Sequence, residues 1–226
     1  MNEIREISFD NPEYPERLRR LADPPPFLYI HGVAGLNDLK TLAIVGTRSP
    51  FYKAFEVAWL IGRVAGELGY TIVSGYATGV DTCGHMGAMD ANASTIAVLG
   101  SGINRKLPSK QALERYVLSH GLFVSELDDP NADREYTHLK ARDRITSALS
   151  DVVIVVETDK GGGAVRTAKY ASKQGQRALA IEWADSEKYH NKVQDGTAYA
   201  IEKRIAEALP ILDAGNNFSN HLRQIL

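Results

Sequence analysis

Four glycine-punctuated turns, each placed directly after a short all-apolar run, constrain what this chain can fold into. They read AIVGTRSP (43–50), IVSGYATGVD (72–81), AVLGSGIN (97–104) and VVETDKGGGAVRT (155–167). The runs hold Ala, Val, Ile and Leu without polar alternation, which is the pattern of strands buried on both faces. Each turn opens a stretch able to form a helix. Strand–turn–helix units repeated in this way build an α/β fold, a doubly wound and mainly parallel sheet with helices on both faces. Such sheets take ligands in the crevice outside the carboxyl ends of their strands. The glycines and basic residues therefore gather where a phosphate would sit, which points to a nucleotide or a nucleic acid.

The expected core runs as strand 42–46, helix 51–68, strand 70–74, helix 79–91, strand 95–99 and helix 109–119. It continues as strand 122–125, helix 138–149, strand 152–156, helix 163–174, strand 178–182 and helix 197–208. Residues 1–41 read as an N-terminal extension packing on this core, 42–210 as the doubly wound domain and 211–226 as a loosely held tail with a short final helix. In the extension, Leu18 and Leu21 stand at helical spacing, and Pro24, Pro25 and Pro26 then force an extended path into an apolar strand from Phe27 to Ile30.

Composition narrows the ligand. A net charge of −2 excludes a broadly basic surface, so polyanion binding has to come from a local patch. An apolar content of 44% over 226 residues supports one sizeable core with an extension. No run of eighteen apolar residues and no leading signal pattern appear, so a soluble, cytoplasmic protein without a membrane partner is expected. The single cysteine, Cys83, excludes an intrachain disulfide framework.

The first turn carries the clearest anion chemistry. Gly46 permits close backbone approach, Thr47 and Arg48 follow it, and Ser49 with Pro50 reads as an N-cap and first helical residue. Arg48, the amides and the helix dipole would then face one anion. Ser74 and Gly75 stand at the second strand end, and Gly100, Ser101 and Gly102 at the third. Asp81 and His85, at i and i+4, are expected to be hydrogen-bonded to each other. No third ligand accompanies them at a telling spacing, so no metal site is assigned. Lys140, Arg142 and Arg144, interrupted by Asp143, read as the start of a helix, where cations oppose the dipole unless an anion is bound. Gly161, Gly162 and Gly163, with Thr167 behind them, form a backbone cradle for an anion. The cradle lacks both the terminal Lys-Ser/Thr of an ATPase phosphate loop and the spacing of the dinucleotide fingerprint, so no cofactor is implied. Glu126 and Glu157, at other strand ends, are placed to contact ribose hydroxyls or orient the arginines.

Over residues 12–182 these segments together resemble the DNA-processing protein A family, DprA or Smf. YPERLRRLADPPPFLYIHG, AIVGTRSPFY, IVSGYATGVDTCGHMGAM, TIAVLGSGINRKLP, FVSE, LKARDRITSALSDVVIVVE and GGGAVRTAKYASKQG follow in the family's order. The resemblance implies a Rossmann-like domain that binds single-stranded DNA without catalysis, a recombinase-mediator role with a RecA-type partner, a role in transformation, and a homodimer. It implies phosphate contacts from Arg48, Lys140, Arg142, Arg144 and the glycines at 161–163. Departures are specific: the family's asparagine between two arginines is Asp143 here, and the serine before its glycine pair is Gly161. The family's N-terminal helical domain and C-terminal winged helix are not recognisable in this sequence. The alternative is a small-nucleotide sensor, or a phosphoribohydrolase similar to the Lonely-guy group. The catalytic glutamate of that group is replaced by the stretch around Arg166 and Thr167, which leaves Glu126 or Glu157 to reach in from a neighbouring strand.

Overall fold

The computed structural model describes residues 3–104, 110–129, 136–184, 195–211 and 216–226. The end of TIAVLGSGINRKLP (105–108) and the stretch 185–194 after the expected strand 178–182 lie outside them. The elements are β1 (Arg5–Ser8), α1 (Glu16–Arg19), β2 (Phe27–Gly32), β3 (Thr41–Val45), α2 (Tyr52–Glu67), β4 (Thr71–Ser74), α3 (Val80–Asp90) and β5 (Thr95–Val98). They continue with α4 (Gln111–His120), β6 (Leu122–Ser125), α5 (Tyr136–Ala148), β7 (Val152–Val155), α6 (Gly163–Gln174), β8 (Arg177–Glu182), α7 (Gly196–Glu202), β9 (Glu207–Pro210) and α8 (Asn216–Ile225).

One nine-stranded sheet runs β1-β2-β6-β5-β4-β3-β7-β8-β9. The contacts β1–β2 and β2–β6 are antiparallel and all others parallel. From β3 the chain winds outward through β4, β5 and β6, then returns to β7 on the other side of β3. This reversal opens a crevice between β3 and β7.

Alternation along β3 explains the double-sided burial. Ala43 and Val45 join one core with α1, α5 and α6, whereas Leu42 and Ile44 join the opposite core with α2 and α3. Small residues bring α2 and α3 together backbone to backbone. A β-carbon on Gly62 would lie 2.3 Å from the Gly84 carbonyl, and one on Gly87 would lie 2.1 Å from the Trp59 carbonyl.

Three expectations change. The helix expected over 197–208 ends at Glu202, because Arg204 takes a left-handed conformation (φ 53°), and the chain then adds β9 as a parallel edge strand. The extension does not merely pack on the core: β1 and β2 continue the sheet. The tail is not loose, since Phe218 and Leu222 of α8 are buried against the α2 side and Tyr70 donates to the Leu226 carbonyl at 2.8 Å. Among the described residues no helix is long and apolar enough to cross a membrane.

Candidate functional site

A cavity of about 260 Å³ opens at the carboxyl ends of β3, β4 and β7, where the strand order reverses. Gly46, Thr47 and Arg48 form one side, Gly75 and Asp81 the floor, and Arg142 and Asp143 of α5 a second wall. The segment from Thr158 to Thr167 closes it, including Gly161, Gly162, Gly163 and Arg166.

The floor is built around Arg142. Its Nη1 donates to the Val98 carbonyl at 3.0 Å, and its Nε lies 3.2 Å from Asp143 Oδ1. A β-carbon on Gly75 would sit 1.7 Å from Arg142 Nη1 and 2.7 Å from Asp81 Oδ2, so only glycine leaves room for the guanidinium. Asp81, wholly buried, accepts from the Ala77 amide at 3.3 Å. Asp143 Oδ2 accepts from Arg166 Nε at 2.9 Å and lies 2.7 Å from Arg166 Nη2. Two carboxylates and two guanidiniums thus alternate under the cavity. Burial pushes both carboxyls above the usual aspartate range, with Arg142 opposing the shift at each. Ionisation of these carboxyls therefore opposes folding: the stability tied to their protonated forms is full below the ordinary aspartate pKa and is lost as pH rises through the raised one.

The glycine cradle has its own steric logic. A β-carbon on Gly162 would meet Thr158 Oγ1 at 2.1 Å, and one on Gly163 would meet Asp143 Oδ2 at 3.3 Å, while Gly161 faces open space. The first-turn amides of α6 have no partners within the helix, and Gly163 and Ala164 line the cavity. Arg48 is exposed at the rim, without a hydrogen bond or ion pair among the described residues.

The structure brings together Gly46, Thr47, Arg48, Gly75, Asp81, Arg142, Asp143, Gly161, Gly162, Gly163 and Thr167. Other expected residues stand elsewhere. Ser74 is buried and its hydroxyl donates to the Ile44 carbonyl at 2.5 Å, tying β4 to β3. Gly100 packs against Leu139, the Ser101 carbonyl accepts from Ser125, and neither they nor Gly102 line the cavity. Lys140 is exposed and outside it.

Arg144 faces away. Its Nη1 and Nη2 donate to both Glu126 oxygens at 3.0 and 2.9 Å, and its Nε lies 3.0 Å from Asp23. The cause is helix phase: α5 starts at Tyr136, so residues 140–144 are mid-helix rather than a helix start, and positions i and i+2 diverge. Glu157 turns to structural work as well, accepting from the Phe51 amide at 3.0 Å. That contact replaces the expected Ser49 cap, and α2 begins at Tyr52. Neither Glu126 nor Glu157 lines the cavity, so neither takes the place of a hydrolase glutamate. Asp81 and His85 do not bond each other: His85 Nδ1 pairs with Thr95 Oγ1 at 2.6 Å, and burial pushes the imidazole down to about 3.

Sequence reasoning missed Arg166, Thr146, Thr158 and Asp159. Arg166 had a signal, since it stands three residues after Gly163 and shares its helix face.

The site predicts a steric test. Gly75→Ala displaces the Arg142 guanidinium from two buried carboxylates and costs at least ~2 kcal/mol in urea unfolding. A variant within ~0.5 kcal/mol of the parent contradicts this account of the floor.

Comparison with known proteins places these features in a family. A profile described as DNA recombination-mediator protein A matches residues 5–218. Protein Smf of Synechocystis is 32% identical over 220 residues, covering 91% of this chain and 55% of that protein. The chain spans between 55% and 66% of the length of the first three sequence relatives. The X-ray structure of DNA processing protein A from Streptococcus pneumoniae superposes with a TM-score of 0.80 at 28% identity, over 92% of this chain and 71% of that one. A structure of DNA processing protein A from Helicobacter pylori, described for its single-stranded DNA binding mode, gives 0.79 at 25% identity, over 99% of this chain and 96% of that one.

Proposed function

The chain belongs to the DNA recombination-mediator protein A family, and we propose that it serves DNA processing by holding single-stranded DNA at the switch-point cavity, without catalysis. One observation carries the reading: Arg48, Arg166 and the first-turn amides of α6 line a single cavity at the strand ends. That combination suits phosphate oxygens, because guanidinium donors and free helix amides both recognise anions without reading bases. The Helicobacter pylori relative, described for its single-stranded DNA binding mode, supports the choice of strand over mononucleotide. The reading includes a homodimer, a cytoplasmic location, a part in transformation and recombination, and a RecA-type recombinase as partner.

Asp143 tunes the site rather than blocking it. Its carboxylate holds Arg166 and faces Arg142, so a phosphate entering the cavity competes with a built-in anion for the same donors.

Fluorescence anisotropy with a labelled single strand of ~20 nucleotides tests the reading across a salt series. Binding that mononucleotides fail to displace is expected, with Arg48→Ala lowering the salt slope by about 0.7 for one lost phosphate contact. Ready displacement by a mononucleotide, or an Arg48→Ala variant indistinguishable from the parent, contradicts it.

A pH series separates the role of Asp143. As pH falls through its raised pKa, the carboxyl takes a proton and frees Arg142 and Arg166, so affinity for the strand rises. Asp143→Asn is expected to bind more tightly than the parent at neutral pH and to respond less to acidification. An unchanged affinity at neutral pH would remove Asp143 from the account.

A further inference from the structure

A second cavity, of about 550 Å³, lies on the same face of the sheet, between the turn after α1 and the outer sides of α5 and α6. Two of its cations are spoken for. Arg144 is matched by Glu126 and Asp23, and Arg17 by Asp151 at 2.8 Å. The remaining groups are not. Lys173 is exposed and, like the Tyr170 hydroxyl, has no hydrogen-bond partner among the described residues. Arg20, with 76% of its side chain exposed, has among the described residues only a 3.6 Å contact to Glu16. The side-chain oxygen of Gln176, another residue lining this cavity, is buried and has no hydrogen-bond partner among the described residues.

Helix α6 joins the two cavities. Gly163, Arg166, Tyr170 and Lys173 stand at i, i+3, i+7 and i+10, one stripe of a helix with 3.6 residues per turn. The first pair lines the switch-point cavity and the second pair lines this one. The helix is about 18 Å long at ~1.5 Å per residue, a span that a strand crosses in a few nucleotides. Excess positive charge at its far end continues the charge of Arg48 and Arg166 in the same direction.

We infer that a single strand leaving the switch-point cavity runs along this stripe of α6, and that the second cavity is its continuation site. Lys173 and Arg20 take phosphates there, and Tyr170 offers an aromatic face for a base. The inference rests on the single-strand reading of the first cavity.

The test pairs strand length with a double variant of two exposed residues, Arg20→Ala with Lys173→Ala. Anisotropy is measured with oligothymidylates of ~6 and ~20 nucleotides, bracketing occupancy of one cavity and of both. The variant is expected to bind the short strand as the parent does. It should bind the long strand about five to ten times more weakly at ~50 mM salt, with a salt slope smaller by about 1.4. Equal affinity of parent and variant for the long strand overturns the continuation site. A parent that binds neither strand overturns the reading of the first cavity and the continuation with it, an outcome distinct from failure of the continuation alone.

Discussion

The guanidinium of Arg142 occupies the space where any residue other than glycine at position 75 would place its β-carbon. From that seat it donates to the end of β5 through the Val98 carbonyl, faces Asp143 on its own helix and lies over the buried Asp81 of α3. One side chain thereby ties α5 to β4, β5 and α3 at the carboxyl end of the sheet. Removing it would leave two carboxylates in a setting where burial already opposes their ionisation, which is a more costly state than losing a surface ion pair. The cavity floor, the position of Asp143 and the aim of Arg166 all follow from that arrangement.

A floor of alternating charges has consequences for binding. Buried ion pairs contribute little net stability, since desolvation offsets most of the attraction. Here they hold donors in fixed directions beneath a cavity open to anions. Arg48 stands apart, exposed on the rim and unmatched among the described residues, so the cavity has an uncompensated cation at its entrance and compensated ones at its base. Such a gradient favours an anion that enters by the rim and then competes for the deeper donors. The two carboxylates limit how positive the site becomes, in keeping with a chain whose net charge is −2. The Gly163 and Ala164 amides add donors without adding charge, whereas the Thr47 amide is taken by the Glu157 carbonyl at 2.6 Å.

Much of the fold was legible because all-apolar runs ending in glycine have few other uses. β3, β4, β5, β6 and β7 fall within a residue or two of their expected spans. β9 was not legible: its four residues carry no apolar run, and its strand state comes from pairing with β8 after the turn at Arg204. The burial of α8 escaped for a related reason, since Phe218 and Leu222 become informative only once the α2 surface they cover exists. At the site, the glycines and Arg48 followed from local chemistry. Arg144 and Arg142 look equivalent in sequence, yet as positions i and i+2 of α5 they point to different sides of the helix. Arg166 was hidden by the opposite error, being weighed as a missing glutamate rather than as a member of the same helix face as Gly163.

The central claim is that phosphates of a single strand sit against Arg48 and the first turn of α6. A structure of the protein with a short oligothymidylate tests it most directly. The account predicts phosphate oxygens within hydrogen-bond distance of the Arg48 guanidinium and of the Gly163 or Ala164 amide, with Arg142 still seated over Gly75. A strand bound on the α2 and α3 face, or a base rather than a phosphate filling the cavity, would contradict it.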